Sequence, residues 1–501
     1  MSLLSGMPDS YLCTTKSPRY ACIDAGHLTR KPKSCKDLGM RQNSCIKTAG
    51  NRILIPAAKQ MRLHQRLCSM AILAILAVSA TNVGAQDRTK TKSSRPKPTP
   101  TRPAPPPPVA TSLAPDAKVV DERQLFLSAA RTAWAFVDRS YQPSTGLSRA
   151  HDTYQYVTLW DVASALGATY SAHELGLISD AVYNQRIQRA LATLSTMDLF
   201  DRAAFNKSYD SKTGKMIDRR QRISSRGYGW SVIDIGRLLT WLRILAVNQP
   251  QFAAQATTIV KRLDMSRLIK DGYLQGQDID PATGAMRMYA EGRMGYEQYA
   301  AAGLALWGYR AEKALDARLN ALPVNVLGVT IVADKRGDER ITSEPYIMMG
   351  LETGWYSPEL REQAWRVLAA QEARYKTTGT LTMVSEDALP DPPYYFYYYD
   401  VYRQGRPFVV DAPAGQGYVE SPRWISSKAA FAWHALLPSP YTLTVLQAVQ
   451  PSAIPGYGWG AGVYEGTLRP TGDASLNTAA LILEAAVYNL RGHPFLATRF
   501  D

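Results

Sequence analysis

The chain has 501 residues, a net charge of +15 and five cysteines. All but one of those net positive charges lie before residue 121, and every cysteine lies before residue 69. The charge is therefore no signature of a nucleic-acid surface on the folded part, which also offers no disulfide framework or thiol chemistry.

Residues 1–60 hold Cys13, Cys22, Cys35 and Cys45 and show neither helical nor strand periodicity. From Met61 the pattern changes. Arg62, His64 and Arg66 precede the apolar run Met70–Ala80, and the small residues Val83-Gly84-Ala85 follow before Gln86. Positive flank, short apolar core and cut site are the parts of a secretory signal peptide. The core falls well short of the roughly 20 residues that span a bilayer. The expectation is a signal peptide at 61–85, with Met61 as the true start and 1–60 as a non-native N-terminal extension. The mature protein is then periplasmic or secreted, begins at Gln86, and has no membrane insertion after cleavage. Residues 86–120 carry Pro-Lys-Pro-Thr-Pro and the Pro105–Pro108 run, a Pro-rich linker of extended polyproline type.

Residues 121–501 are long enough for one large domain, and helical spacing dominates them. Ile187, Leu191 and Leu194 form one stripe, and Ile235, Leu238, Leu239 and Leu242 another, opened by the capping pair Ser231 and Asp234. Similar segments occur near 121–139, 158–177, 297–318, 357–376, 426–436 and 477–491, the last closed by Gly492. Long connections near 200–229, 265–295, 320–343, 379–425 and 452–475 separate them, and loops of that length are usually functional. Thr-Gly recurs at Thr145-Gly146, Thr213-Gly214, Thr283-Gly284 and Thr378-Gly379, which reads as hairpin tips. Helix pairs repeating around a ring, with long loops and short β-hairpins at one end, predict a mostly α, (α/α)6-type toroid.

Motifs spread over this part resemble the bacterial domain-of-unknown-function family 3131. They include Thr158-Leu-Trp-Asp-Val, Gly229-Trp-Ser-Val-Ile-Asp-Ile-Gly-Arg, Glu291-Gly-Arg-Met-Gly-Tyr-Glu, Glu344-Pro-Tyr, Leu351-Glu-Thr-Gly-Trp, Ser385-Glu-Asp and Lys428-Ala-Ala-Phe-Ala-Trp-His. More remotely, the chain is similar to glucoamylase-like proteins, toroids that include β-1,2-glucanases. That resemblance implies a fold and, by analogy only, sugar chemistry.

Cleaving a glycosidic bond needs two carboxyl groups, one protonated and one ionised, over an aromatic floor. The candidate catalytic carboxyls are Asp161, Glu291, Glu297, Glu352, Glu386 and Asp387. Candidate substrate-binding residues are Trp160, Arg293, Tyr296, Trp355, Tyr394, Tyr397, Trp459 and Glu465. Each has a plainer reading. Asp234 caps its own helix; Asp161 and Glu297 are first-turn acids facing a helix dipole. Glu291 pairs with Arg293, Glu386 and Asp387 sit in a solvated loop, and the run Tyr394–Tyr402 packs as a strand. The four histidines past the signal form no H-E-x-x-H or close pair, so no metal site and no cofactor are expected. The expected partner is a polysaccharide or oligosaccharide, with no nucleic acid. The leading reading is a hydrolase of a bacterial glucan or exopolysaccharide. The alternative is a glycan-binding or envelope-assembly protein on the same toroid.

Overall fold

In the computed structural model the described residues are 117–392, 396–412 and 417–497. The expected extension, signal peptide and nearly all of the linker lie outside them, as does Tyr394. Among the described residues no helix is long and apolar enough to cross a membrane.

Six inner helices form a closed ring: α1 (Leu159–Glu174), α2 (Val232–Asn248), α3 (Tyr296–Ala305), α4 (Glu344–Glu352), α5 (Ser427–Leu436) and α6 (Leu476–Arg491). Each packs on the next, and α6 returns to α1. Each of the first five inner helices is followed, after a short turn, by an outer one: Asp180–Thr196, Ala253–Val260, the single turn Glu312–Leu315, Pro358–Thr378 and Pro440–Ala448. The sixth outer helix is the first among the described residues, Ala117–Ser140, which packs on α6 and closes the ring. This is the (α/α)6 toroid that the periodicity predicts.

The inner helices are apolar on nearly every side because they are buried on every side. In α2, Leu238, Leu239, Trp241, Leu242, Ile244 and Leu245 are all fully buried. Where α2 meets α3 the backbones almost touch. A Cβ on Gly303 would lie 2.0 Å from the Gly236 carbonyl oxygen, so only glycine fits. Gly303→Ala is expected to cost about 1–3 kcal/mol of stability by overpacking, read as a lowered midpoint in urea.

Connections from inner to outer helix are short, whereas all six from outer to inner are long, so the long loops gather at the N-terminal ends of the inner helices. Strands sew neighbouring loops together. Tyr156–Thr158 pairs with Ser208–Asp210, Gly229–Trp230 with Tyr273–Ile279, and Trp424–Ser426 with Gly462–Tyr464. Single bridges, Ile341 to Tyr402 and His151 to Ser475, link two further pairs of loops. The largest insertion is a four-stranded antiparallel sheet, Glu386–Ala388, Phe396–Arg403, Arg406–Ala412 and Gly417–Val419.

Three expectations need correction. The helix expected over 297–318 stops at Ala305, and the chain turns at Gly308 with positive φ. Gly379 is not a hairpin tip; it is the left-handed C-cap of Pro358–Thr378. Glu386 and Asp387 do not sit in a solvated loop, because both are buried on an edge strand.

Candidate functional site

The first turns of the inner helices converge under the long loops. Thr158, Ser231 and Ser475 cap α1, α2 and α6 by accepting from backbone N–H groups. Helix N-termini favour negative charge, and carboxylates collect there: Asp161 on α1, Asp234 on α2 and Glu344 at the start of α4. Above them lies a cleft of about 680 Å³ lined by Trp160, Asp234, Tyr289, Glu291, Arg293, Tyr296, Asp338, Arg340, Glu386 and Tyr398. A second hollow of about 560 Å³ is lined by His151, Tyr154, Tyr156, Asp161, Asp387, Phe396, Lys428 and Asn477. The two meet at Trp160 and Glu386, which line both.

Glu386 occupies this waist. Its backbone lies opposite Tyr398 in the sheet, and the Tyr296 hydroxyl donates to its Oε2 at 2.7 Å. Burial, reinforced by the Glu344 carboxylate, pushes its carboxyl up to about 8 despite the opposing pull of Lys428 and Tyr296. It therefore holds a proton at neutral pH. Lys428, buried at the start of α5, donates to the Glu386 carbonyl, pairs with Glu344 and lies 3.5 Å from Asp387 Oδ1. Asp387 is pushed by burial to about 6, opposed by Lys428 and by the Trp424 indole, which donates at 2.8 Å.

Glu291 stands on the wall of the main cleft. Its Oε2 accepts the Val232 N–H at the start of α2 at 2.7 Å, while its Oε1 has no hydrogen-bond partner among the described residues. Burial raises its carboxyl, with Lys207 and the Val232 amide acting the other way. It makes no ion pair with Arg293, contrary to the plain expectation. Arg293 instead lines the cleft with Nε donating to the Gly337 carbonyl at 3.0 Å and a terminal nitrogen to that of Gly292 at 2.6 Å. Asp161 both caps and faces the second hollow: its Oδ2 accepts from the Thr158 amide and hydroxyl, each at 2.9 Å, and burial raises its carboxyl. Asp234 likewise accepts from the Ser231 hydroxyl at 3.0 Å and lines the main cleft.

The cleft and the hollow that adjoins it thus bring together Trp160, Asp161, Glu291, Arg293, Tyr296, Glu386 and Asp387. The other predicted site residues lie elsewhere. Glu297 is clamped by both terminal nitrogens of Arg336. Glu352 sits in the core of the ring, accepting from Trp241 at 3.0 Å and from Tyr299. Glu465 is held by two bonds from Arg374 at 2.8 and 3.0 Å. Trp355 and Trp459 donate to the Tyr346 and Ala129 carbonyls, each at 3.0 Å, and pack into the body. Tyr397 donates to the Asp391 carbonyl and packs on Trp424, as the strand reading expects. Glu344, Lys428, Arg340, Asp338 and Tyr398 join the site without having been singled out for it. Their signal was position: Glu344 and Lys428 open helices directly after long loops, inside motifs already noted.

Two predictions arise here. Glu297→Gln should leave any activity of the cleft within about twofold while lowering stability modestly, because the part-buried Arg336 loses one of its two carboxylate partners and keeps the other, Asp334; kinetics and urea unfolding measure both. The second concerns pH. Glu386 at about 8, Asp400 at about 7 and Asp387 at about 6 all hold their protons more tightly folded than unfolded. Their contribution is present at low pH and is lost as pH rises through these values. The melting temperature should therefore fall between pH 5 and 9, and the fall should be shallower in Glu386→Gln.

Among the described residues no three or more of His, Cys, Asp and Glu are grouped to hold a metal ion. A family model described as "Protein of unknown function (DUF3131)" matches residues 128–492, and the chain belongs to that family. No curated protein matches it in sequence. In fold it is similar to a glucoamylase-like protein from Bacteroides caccae ATCC 43185 (TM-score 0.55, 14% identity, 74% of this chain and 94% of that one). It is also similar to the endo-β-1,2-glucanase of Chitinophaga pinensis, solved with sophorotriose and glucose (TM-score 0.52, 13% identity, 74% and 93%). A third is the endo-β-1,2-glucanase of Talaromyces funiculosus with sophorose (TM-score 0.51, 12% identity, 75% and 86%). At these identities the likeness establishes the toroid and nothing finer.

Proposed function

We propose that this member of the DUF3131 family is a glycoside hydrolase, exported to the periplasm or beyond, that cleaves a bacterial glucan or exopolysaccharide without a cofactor. The observation that carries the reading is Glu386, a carboxyl group pushed up to about 8 at the waist of an aromatic-lined cleft. Glycosidic cleavage needs such a protonated carboxyl beside an ionised one. Trp160, Tyr289, Tyr296 and Tyr398 offer ring faces and edges for a pyranose. Glu386 gives its proton to the glycosidic oxygen as the bond to the anomeric carbon breaks. Glu291, anchored by the start of α2 and with one oxygen unpartnered among the described residues, takes a proton from the water that attacks that carbon. The products are two shorter chains, one with a new reducing end. The endo-β-1,2-glucanases of similar fold support the class of substrate.

The second reading, glycan binding without cleavage, is favoured by the pairing of Lys428 with Glu344 and Asp387, which fixes the acids around Glu386 in place. One experiment separates the two. The domain is incubated with β-1,2-, β-1,3- and β-1,4-glucans and with bacterial exopolysaccharides, and new reducing ends are followed. Reducing ends from at least one polymer are expected; binding with no release from any of them sinks the hydrolase.

A further inference from the structure

The hollow on the far side of Glu386 is lined by two residues, His151 and Trp160, whose buried N–H donors have no hydrogen-bond partner among the described residues. His151 is 3% exposed and Trp160 2%. His151 Nδ1 accepts the Thr153 backbone N–H at 3.2 Å, and that direction is fixed because an amide can only donate. The same nitrogen lies 2.9 Å from the Thr153 hydroxyl. Nδ1 therefore carries the lone pair, and in the neutral ring the proton sits on Nε2. Burial keeps the ring neutral by lowering its pKa against the pull of Asp473 and Asp152. Nε2 is buried and has no hydrogen-bond partner among the described residues, and the same is true of Trp160 Nε1. Buried donors in native proteins are almost always paired, and leaving one unpaired costs about 1–3 kcal/mol. Two such donors on residues that line one hollow call for acceptors that enter it.

We propose that this hollow is a second sugar-binding subsite, in which His151 Nε2–H and Trp160 Nε1–H donate to ring or hydroxyl oxygens of the ligand. The proposal rests on the reading of the cleft as a glycan site and sharpens it: sugar units lie on both sides of Glu386. Its walls suit a pyranose. Tyr154 stacks on Tyr156 with ring centroids 5.3 Å apart, and His151 lies 4.9 Å from Tyr154. One face of Trp160 is covered by the Arg237 guanidinium, 4.8 Å from the ring centroid, which holds the indole in place. Asn477 and Asp161 add amide and carboxylate groups for hydroxyls.

The test uses linear glucose oligosaccharides of two to six units with β-1,2, β-1,3 or β-1,4 linkages, and calorimetric binding to wild type and to Glu386→Gln. Each is compared with its His151→Phe partner, which keeps a ring and removes the donor, and with His151→Gln, which restores one. The best-bound oligosaccharide should lose about tenfold in affinity in His151→Phe and recover most of it in His151→Gln. Nitrogen-15 spectra of the histidine rings in the wild-type chain supply a readout that needs no variant. They should show Nε2 protonated, with its resonance moving on saturation. Equal affinity in folded His151→Phe, a proton on Nδ1, or no binding by any oligosaccharide overturns the subsite. His151-dependent binding without new reducing ends leaves the subsite standing and removes the hydrolase. Cleavage with unchanged KM in His151→Phe does the reverse.

Discussion

Glu386→Gln is expected to lower glycan cleavage by about 10²–10⁴-fold, the usual contribution of a general acid or base, while binding and melting temperature at pH 6 stay close to wild type. Glutamine matches glutamic acid in shape, and its amide oxygen can still accept from Tyr296. It cannot deliver a proton to a leaving oxygen. The pH profile gives an independent check. The acid works only while protonated, so activity should fall as pH rises through about 8, the value to which burial and Glu344 push this carboxyl. The base works only while ionised, so activity should also fall as pH drops through the raised pKa of Glu291. Substrates with very good leaving groups need no acid, so Glu386→Gln should retain far more activity on aryl glycosides than on glycans. A variant as slow on both would assign Glu386 a structural role. A Glu291→Gln variant that keeps the acidic limb would remove the assigned base.

The ring was legible because its signal is periodic. Stripes of apolar residues at helical spacing mark α2, α6 and the helix Asp180–Thr196, and the long stretches between them are the loops that build the cleft. The helix Glu344–Glu352 carries no stripe because every one of its residues is buried, so it has no polar face to set a phase. The candidate site was legible only as a class of residue. Sequence showed acids beside aromatics, but whether an acid is free or paired depends on residues far along the chain. Arg336 lies 39 positions beyond Glu297, and Glu465 lies 91 beyond Arg374. Nothing local distinguishes those acids from Glu386. What separates Glu386 is its desolvation between Tyr296 and Lys428, contributed to its edge strand by two inner helices. Asp234 shows the reverse limit: its capping role was plain from Ser231, and its place on the cleft wall followed only once the helix ends converged.

Arg237→Met is expected to destabilise the toroid by about 3–5 kcal/mol, the range for removing one partner of a buried ion pair. Arg237 is fully buried at the centre of the ring. One terminal nitrogen donates to Ser164 Oγ at 2.7 Å and to Asn477 Oδ1 at 3.0 Å, tying α2 to α1 and α6. Its Nε lies 3.5 Å from Glu352 on α4, and its other terminal nitrogen 3.7 Å from Glu484 on α6. One guanidinium thus serves four of the six inner helices, and methionine would replace its volume but none of these links. Glu352 and Glu484 would then be left buried without their cation, and each would favour its protonated form more strongly. The folded state would bind protons more tightly than the unfolded one, so the loss should be smaller at pH 5 than at pH 8. Adding Glu352→Gln and Glu484→Gln to Arg237→Met should restore part of the stability and flatten that dependence, since neutral amides need no counter-charge. Urea unfolding across pH of the wild type, the single variant and the triple variant measures all three effects. A loss below about 1 kcal/mol would mean that this charge cluster does not hold the ring together. The cleft should respond as well, because the same guanidinium backs Trp160 and the indole would lose its support at the junction of the two hollows.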